Sequence, residues 1–362
     1  MITSFSPSPL TTAGLDRVRD YILNLDEPAA WSAEELESRR DTWDLALTDT
    51  ESRLLEELTE EATEKFGAWS TGRGTRAEWK ELAGPLVTYF DRVEYSLEGG
   101  TGIALLRNLP VRTPDAELPY NENLLWLVGA AMGQPVNQMG GGTLLASLAH
   151  RGEARPDHPR AENTNEGLGF HTDGSDLLML MCIRQAMIGG NSVVSSSART
   201  VKEIARRYPE LLPSLFEDYF PFDRQMEILD GDTTYYLSRL CTIIDGKITT
   251  RYVRPLTDAA LYRGDCPPLT ERQLRLMDVF DEISAEGGVE VGFGSGDLVI
   301  ANNYSVMHGR SEFIDSDDET QRRLLVRLWL AMENGRPLPF DFDRGVNHDG
   351  VARGGVPYTE SH

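Results

Sequence analysis

The chain has 362 residues with 40% hydrophobic and 26% charged side chains, the balance of a soluble globular protein able to bury a large core. Its net charge of -23 repels phosphate backbones and anionic lipid surfaces, which argues against nucleic acid and membrane partners. Met1–Pro7 has no basic segment and no following apolar run, so no signal peptide is expected.

The first hundred residues read as mostly helical. Ser32 to Glu35 is a capping-box pattern that opens one helix, and Thr48 caps the next, with Leu54, Leu55 and Leu58 as its apolar stripe. Ser70–Gly74 is a loop signal, Gly102–Leu106 a buried strand, and residues 119–132 a core helix. Two loops follow: the flexible Gly140–Gly142, and Arg151–Gly169, which is rich in Pro, Asn, charge and Gly and runs directly into His171. The second half is strand-rich, with candidates at Leu177–Ile183, Ser192–Ser196, Thr234–Ile243, Lys247–Val253, Val289–Phe293, Asp297–Ala301 and Leu324–Leu330. Two helices interrupt it, one expected to be capped by Thr200 with Glu203, the other by Thr270 with Gln273. The tail from Gly335 reads as loop or disorder. The expected fold is mainly β with flanking helices, a barrel-like sandwich without internal repeats. Leu177–Ile183 is too short to span a bilayer, and Cys182, Cys241 and Cys266 show no paired spacing, which fits a reducing cytoplasm.

Chemistry concentrates in Phe170-His171-Thr172-Asp173 and in the distant segment Asn303–His308. On an extended strand, His171 and Asp173 point to one face, so both side chains can reach one ion. With His308 they make two histidines and a carboxylate, the ligand set of a non-haem iron(II) site with open coordination positions. Neither motif is specific alone, because His-x-Asp pairs are common on surfaces and single histidines are common in cores. His150, His158, His348 and His362 have no ligand spacing and read as ordinary loop or tail residues. Further on, Arg323 and Arg327 share strand parity with Leu325 and Trp329, while Arg322, Leu324, Val326 and Leu328 share the other face. If Leu325 faces the interior, two arginines do too, and a buried arginine calls for an anion. The competing expectation is a basic strand edge paired with Asp317, Asp318 and Glu319.

These segments, with Gly189-Gly190-Asn191-Ser192 and Gln321–Arg327, resemble the taurine dioxygenase (TauD/TfdA) family within the clavaminate-synthase-like group, over roughly residues 100–333. The resemblance implies a double-stranded β-helix (jelly-roll, cupin-like) core at 100–333, an N-terminal helical elaboration at 1–99 and a Pro/Gly-rich tail at 334–362. It implies iron(II) bound by His171, Asp173 and His308. 2-Oxoglutarate would be the co-substrate, its distal carboxylate held by Arg323 and Ser192, where the family usually has threonine. Arg327 matches another family arginine that touches co-substrate or substrate. The implied reaction uses O2, releases succinate and CO2, and hydroxylates an unactivated C–H bond of a small amino-acid-like or natural-product molecule. Related halogenases lack the carboxylate ligand, so Asp173 favours hydroxylation; desaturation, cyclisation and epimerisation use the same ligands and stay open. A non-catalytic β-barrel that binds a small ligand is the alternative outside enzymes, and oligomerisation is left open. Loops Asn137–Phe170 and Glu217–Thr233 are expected to wall the substrate, with Asn165, Asn137 and Arg224 as polar candidates.

Overall fold

A computed structural model describes residues 12–71, 73–113, 117–138, 143–149, 164–224, 233–332, 335–339 and 342. Outside them lie Gly140–Gly142, most of Arg151–Gly169, residues 225–232 of the loop Glu217–Thr233, the four histidines set aside above, and most of the tail.

Two antiparallel-rich sheets face each other. The larger runs Asp44–Ala46, Ile103–Arg107, Leu298–Asn302, Leu177–Arg184, Leu324–Met332, Gly133–Pro135, and Leu145–Ala149 also pairs with Leu324–Met332. The smaller runs Val289–Val291, Ser192–Ser196, Val306–Arg310, Leu168–His171. Strand alternation sorts the side chains into layers. From the larger sheet, Leu177, Met179, Met181, Val326, Leu328 and Leu330 point outward and join Leu124, Leu125 and Leu127 of the helix Leu118–Met132. That helix is apolar on nearly every side because it lies between this sheet and the N-terminal helices. The opposite parity, Cys182, Val299, Ala301 and Leu325, meets Val194, Val291 and Val306 of the smaller sheet. Outside the smaller sheet a third apolar cluster seats the helices Ser197–Arg207 and Glu271–Glu286. This is the expected jelly-roll core with flanking helices.

Local signals act as their chemistry requires. Ser32 with Glu35, Thr48 with Glu51, and Thr270 with Gln273 each form reciprocal capping boxes. Leu55, Leu58, Ala62 and Phe66 are the buried stripe of Asp49–Phe66. Thr200 is a correction: it lies inside the helix, donating back to the Ser196 carbonyl at 3.1 Å, while Ser196 at the end of the preceding strand caps the Arg199 amide. The expected strand Thr234–Ile243 is two strands, because Tyr235–Ser238 pairs with Phe220–Asp223 whereas Cys241–Ile244 turns back onto Lys247–Thr250. Among the described residues no helix is long and apolar enough to cross a membrane.

Candidate metal centre and its cavity

The smaller sheet brings the two histidines together by register. His308 is the direct cross-strand partner of His171, and its other neighbour is Val194. Their rings lie 4.3 Å apart between centroids. The strand carrying His171 ends at that residue, so Asp173 reaches the site from a loop and not, as strand parity suggested, from the same strand. That loop is pinned from both sides. Asn303 accepts from the Asp173 amide at 3.0 Å and donates to the Ser175 carbonyl at 3.0 Å, while the Thr172 amide donates to the Tyr252 carbonyl at 2.8 Å.

One ligand atom from each of His171, Asp173 and His308 can be chosen so that all lie within 4.8 Å of one another. His171 Nε2 is 4.0 Å from Asp173 Oδ1, and His308 Nε2 is 3.5 Å from Oδ2. Donors held about 2.0–2.2 Å from a single ion sit roughly 3–4 Å apart, so the set fits a first-row divalent cation. His171 Nδ1 lies 2.8 Å from the Gly169 carbonyl, which directs its Nε2 lone pair toward the site. The Trp329 indole donates to Asp173 Oδ2 at 2.9 Å. The protonation states also suit a cation. Burial, then the neighbouring His308, pushes the His171 imidazole down to about 4. Burial works to raise Asp173, but the charge and hydrogen bond of His308, with Arg327 and His171 behind it, hold its carboxyl well below the usual range.

A stability consequence follows. In the metal-free protein, folded His171 stays neutral from its ordinary 6.5 down to about 4, while the unfolded chain takes up a proton across that window. Its contribution to stability is therefore complete above pH 6.5 and is lost as pH falls toward 4. Thermal melts in chelator at pH 7 and pH 4.5 should show a smaller acid-induced drop in Tm for His171→Gln than for the wild type; equal drops would contradict the assignment.

Between His308 and Arg310 the strand pairing is irregular, and Gly309 lies in that irregularity. A Cβ there would come within 2.6 Å of the Leu168 carbonyl, a backbone atom of the strand that presents His171. Gly309→Ala should separate the two histidine strands, lowering stability by about 1–3 kcal/mol and weakening metal binding together. A denaturant melt and a metal titration check it; unchanged values in both would show that the strands tolerate the methyl group.

The donors open on a cavity of about 210 Å³. Its wall includes Gln138, Ser192, Arg251, Arg310, Arg323, Arg327 and Trp329, with Leu148, Leu178, Leu180 and Leu325 as its apolar part. The parity expected for Arg323, Leu325, Arg327 and Trp329 is the one observed: all four face the cavity. Arg323 is 5% exposed, donates to the Gly190 carbonyl at 3.3 Å and lies over the Phe313 ring. Burial lowers its guanidinium from the usual value. Gly190 has φ +70°, and a Cβ on it would press within 3.2 Å of Arg323 Nε, so glycine makes room for the arginine. Arg322, of opposite parity, turns outward to the Ser316 carbonyl and to Glu319, the surface pairing that sequence offered for the cluster. Arg327 donates through Nε to Gln138 at 2.6 Å.

None of the three polar substrate candidates is among the described residues that line the cavity. Asn165 is exposed and engages Phe313 through its backbone carbonyl. Arg224 stacks over Tyr236. Asn137 yields its place to the next residue, Gln138. Gln138, Arg251 and Arg310 on the cavity wall, and Asn303 behind Asp173, were not among the expected site residues; an arginine inside the expected strand Lys247–Val253 was the available signal for Arg251.

Residues 91–329 match the sequence model of the family described as taurine catabolism dioxygenase TauD, TfdA family. Among characterised proteins, the chain is similar to FR-33289 synthase of Streptomyces rubellomurinus, 30% identical over 267 residues, covering 72% of this chain and 76% of that one. It is also similar to the taurine hydroxylase-like protein SAT17 of Stachybotrys chartarum, 27% identical over 52% of this chain and 49% of that one. Among solved structures, an asparagine oxygenase in complex with Fe(II), hydroxyasparagine and succinate shares the fold at TM-score 0.61 and 19% identity, covering 80% of this chain and 93% of that one. The non-haem iron oxygenase OrfP in complex with Fe and alpha-ketoglutaric acid does so at TM-score 0.61 and 21% identity, over 79% and 93%.

Proposed function

We propose a reaction from one premise: the chain belongs to the taurine catabolism dioxygenase TauD, TfdA family, and is an oxygenase of that class. It binds iron(II) through His171, Asp173 and His308, takes 2-oxoglutarate and O2 as co-substrates, and hydroxylates an unactivated C–H bond of a small amino-acid-like or natural-product molecule. The observation that carries this reading is the convergence of three donor atoms within 4.8 Å in a cavity whose wall also holds the buried Arg323. Bound iron supplies oxygen activation coupled to oxidative decarboxylation of the 2-oxo acid. The chain's own residues do the rest. Arg323 and the Ser192 hydroxyl grip the far carboxylate of the co-substrate, for which a planar guanidinium is suited. Asn303 and Trp329 hold Asp173 in place, and the leucines around Leu180 and Leu325 keep bulk water from the reacting centre. Family membership sets aside the non-catalytic barrel.

The same reading keeps three segments, the helical elaboration to residue 99, the catalytic core 100–333 and the tail; the packing of Asp49–Phe66 against Leu118–Met132 supports a single packed unit. A cytoplasmic location is supported by the free thiols of Cys182, Cys241 and Cys266. The test is a screen of small molecules for stimulated succinate formation, with iron(II), 2-oxoglutarate and ascorbate present. Substrate-dependent succinate is expected. Iron-loaded protein that never consumes 2-oxoglutarate, with or without candidates, would overturn the proposal.

A further inference from the structure

We infer that Asp176 is a positioning residue of the metal centre, a buried carboxylate that fastens the loop bearing Asp173 to the turn ahead of His308 and to the end of the strand Leu324–Met332. The inference rests on the iron reading of the same site. Asp176 stands three residues past Asp173, directly before the strand Leu177–Arg184. In the fold it is only 3% exposed. A carboxylate so buried is costly unless donors meet both of its oxygens, and here they do.

Cross-strand pairing fixes His171 against His308, but Asp173 lies beyond that ladder. What ties it to the strand Val306–Arg310 is the meeting of residues 173–176 with Asn303 and Tyr304. The Asn303 side chain holds Asp173 and Ser175, and its backbone amide donates to the Asp176 carbonyl at 3.0 Å. The Tyr304 hydroxyl then donates to Asp176 Oδ1 at 2.7 Å. Tyr304 is anchored in turn, its carbonyl accepting from the Thr250 amide at 2.9 Å. The second oxygen, Oδ2, accepts from the Met332 amide at 2.8 Å. Met332 ends the strand that carries Arg327 and Trp329, and Trp329 itself donates to Asp173. One carboxylate thus joins the metal loop, the turn before His308 and the strand behind Asp173. The chain beyond that strand is shaped to this joint. A Cβ on Gly335 would lie 3.1 Å from Asp176 Oδ2, so glycine lets the backbone pass close to the carboxylate. The buried Arg336 lies over the Tyr304 ring at 5.9 Å and donates to the Ile248 carbonyl at 2.9 Å. Position 176 therefore has two fixed partners. Asparagine can still meet both, turning its oxygen to the Met332 amide and its amide to the Tyr304 oxygen. Alanine meets neither, and Tyr304→Phe removes the side-chain tie to the turn ahead of His308. Either loss frees Asp173 to drift from the histidines, while the apolar packing on both sheets is untouched.

The experiment uses the full chain and cobalt(II), an oxygen-stable stand-in for iron(II) whose visible absorption reads coordination. The wild type, Asp176→Ala, Asp176→Asn and Tyr304→Phe are titrated with the metal alone, at a temperature where circular dichroism shows each to be folded. Asp176→Ala should bind about 10–100-fold more weakly, the range typical of groups that hold a metal ligand in place. Tyr304→Phe should fall between Asp176→Ala and the wild type, and Asp176→Asn should stay nearest the wild type. A lower Tm with wild-type cobalt affinity, in Tyr304→Phe or in folded Asp176→Ala, would overturn the inference by reducing Asp176 to a contact of the fold. An Asp176→Asn variant as weak as Asp176→Ala would overturn it too, because the contacts that asparagine keeps would not be the cause. If Asp176→Ala does not fold, Tyr304→Phe, which removes a single hydroxyl, decides the matter. Failure of the wild type to bind cobalt(II) would instead strike the iron reading on which the inference rests.

Discussion

Replacing His171 by alanine should reduce iron(II) stoichiometry from about one per chain to near none and abolish turnover. Three protein donors are the whole of the proposed ligand set, and the two histidines are held as cross-strand partners. Loss of a residue that merely supports a metal ligand typically costs 10–100-fold in affinity, so loss of a ligand itself should cost more. Asp173 would remain beside His308 alone, at 3.5 Å, without a second nitrogen donor to complete the face of the ion. Anaerobic reconstitution followed by iron assay on desalted protein measures the effect directly. Full retention of both iron and activity would remove His171 from the site.

The second large effect belongs to Arg323. A five-carbon dicarboxylate chelated at one end needs a fixed cation at the other, and Arg323 is buried in the cavity wall with its terminal nitrogen on the Gly190 carbonyl. Losing a buried charge-assisted pair costs about 2–5 kcal/mol, or roughly 30-fold to several thousand-fold in affinity. Arg323→Ala should therefore raise the KM for 2-oxoglutarate by that range while iron binding survives. Arg322→Ala is the internal control, since Arg322 turns outward to the Ser316 carbonyl and Glu319. Steady-state succinate formation at varied 2-oxoglutarate separates the two variants.

The sandwich and its flanking helices were legible because each depends on short-range pattern, whereas the grouping of His171, Asp173 and His308 was an expectation of the family resemblance and not of strand parity, since Asp173 lies in a loop. Alternation in Leu324–Leu330 assigns Arg323, Leu325, Arg327 and Trp329 to one face without knowledge of the partner strands, and the observed ladder places that face inward. Capping boxes are equally local, although Thr200 shows their limit: two hydroxyls four residues apart compete, and the one at the end of a paired strand wins. The substrate wall was not legible. Gln138 rather than Asn137 enters the cavity because the Gln138 amide and side chain are tied to Thr143, Leu144 and Arg327, contacts that sequence does not display. Arg251 owes its position to Thr172 and Tyr236, 79 and 15 residues away in sequence. Asn303, given no role of its own by the sequence, clamps the Asp173 loop across 130 residues. Such long-range polar contacts set which residues reach the site, and they have no periodic signature.

The central claim is that His171, Asp173 and His308 hold iron(II) while Arg323 fixes 2-oxoglutarate against it. The most direct measurement is an anaerobic titration of 2-oxoglutarate into the iron(II) protein, following the metal-to-ligand absorption band in the wild type and the three variants. The band should grow to saturation in the wild type, fail to appear in His171→Ala, require far higher 2-oxoglutarate in Arg323→Ala, and be unchanged in Arg322→Ala. Unchanged affinity in Arg323→Ala, or a larger loss in Arg322→Ala, would contradict the account.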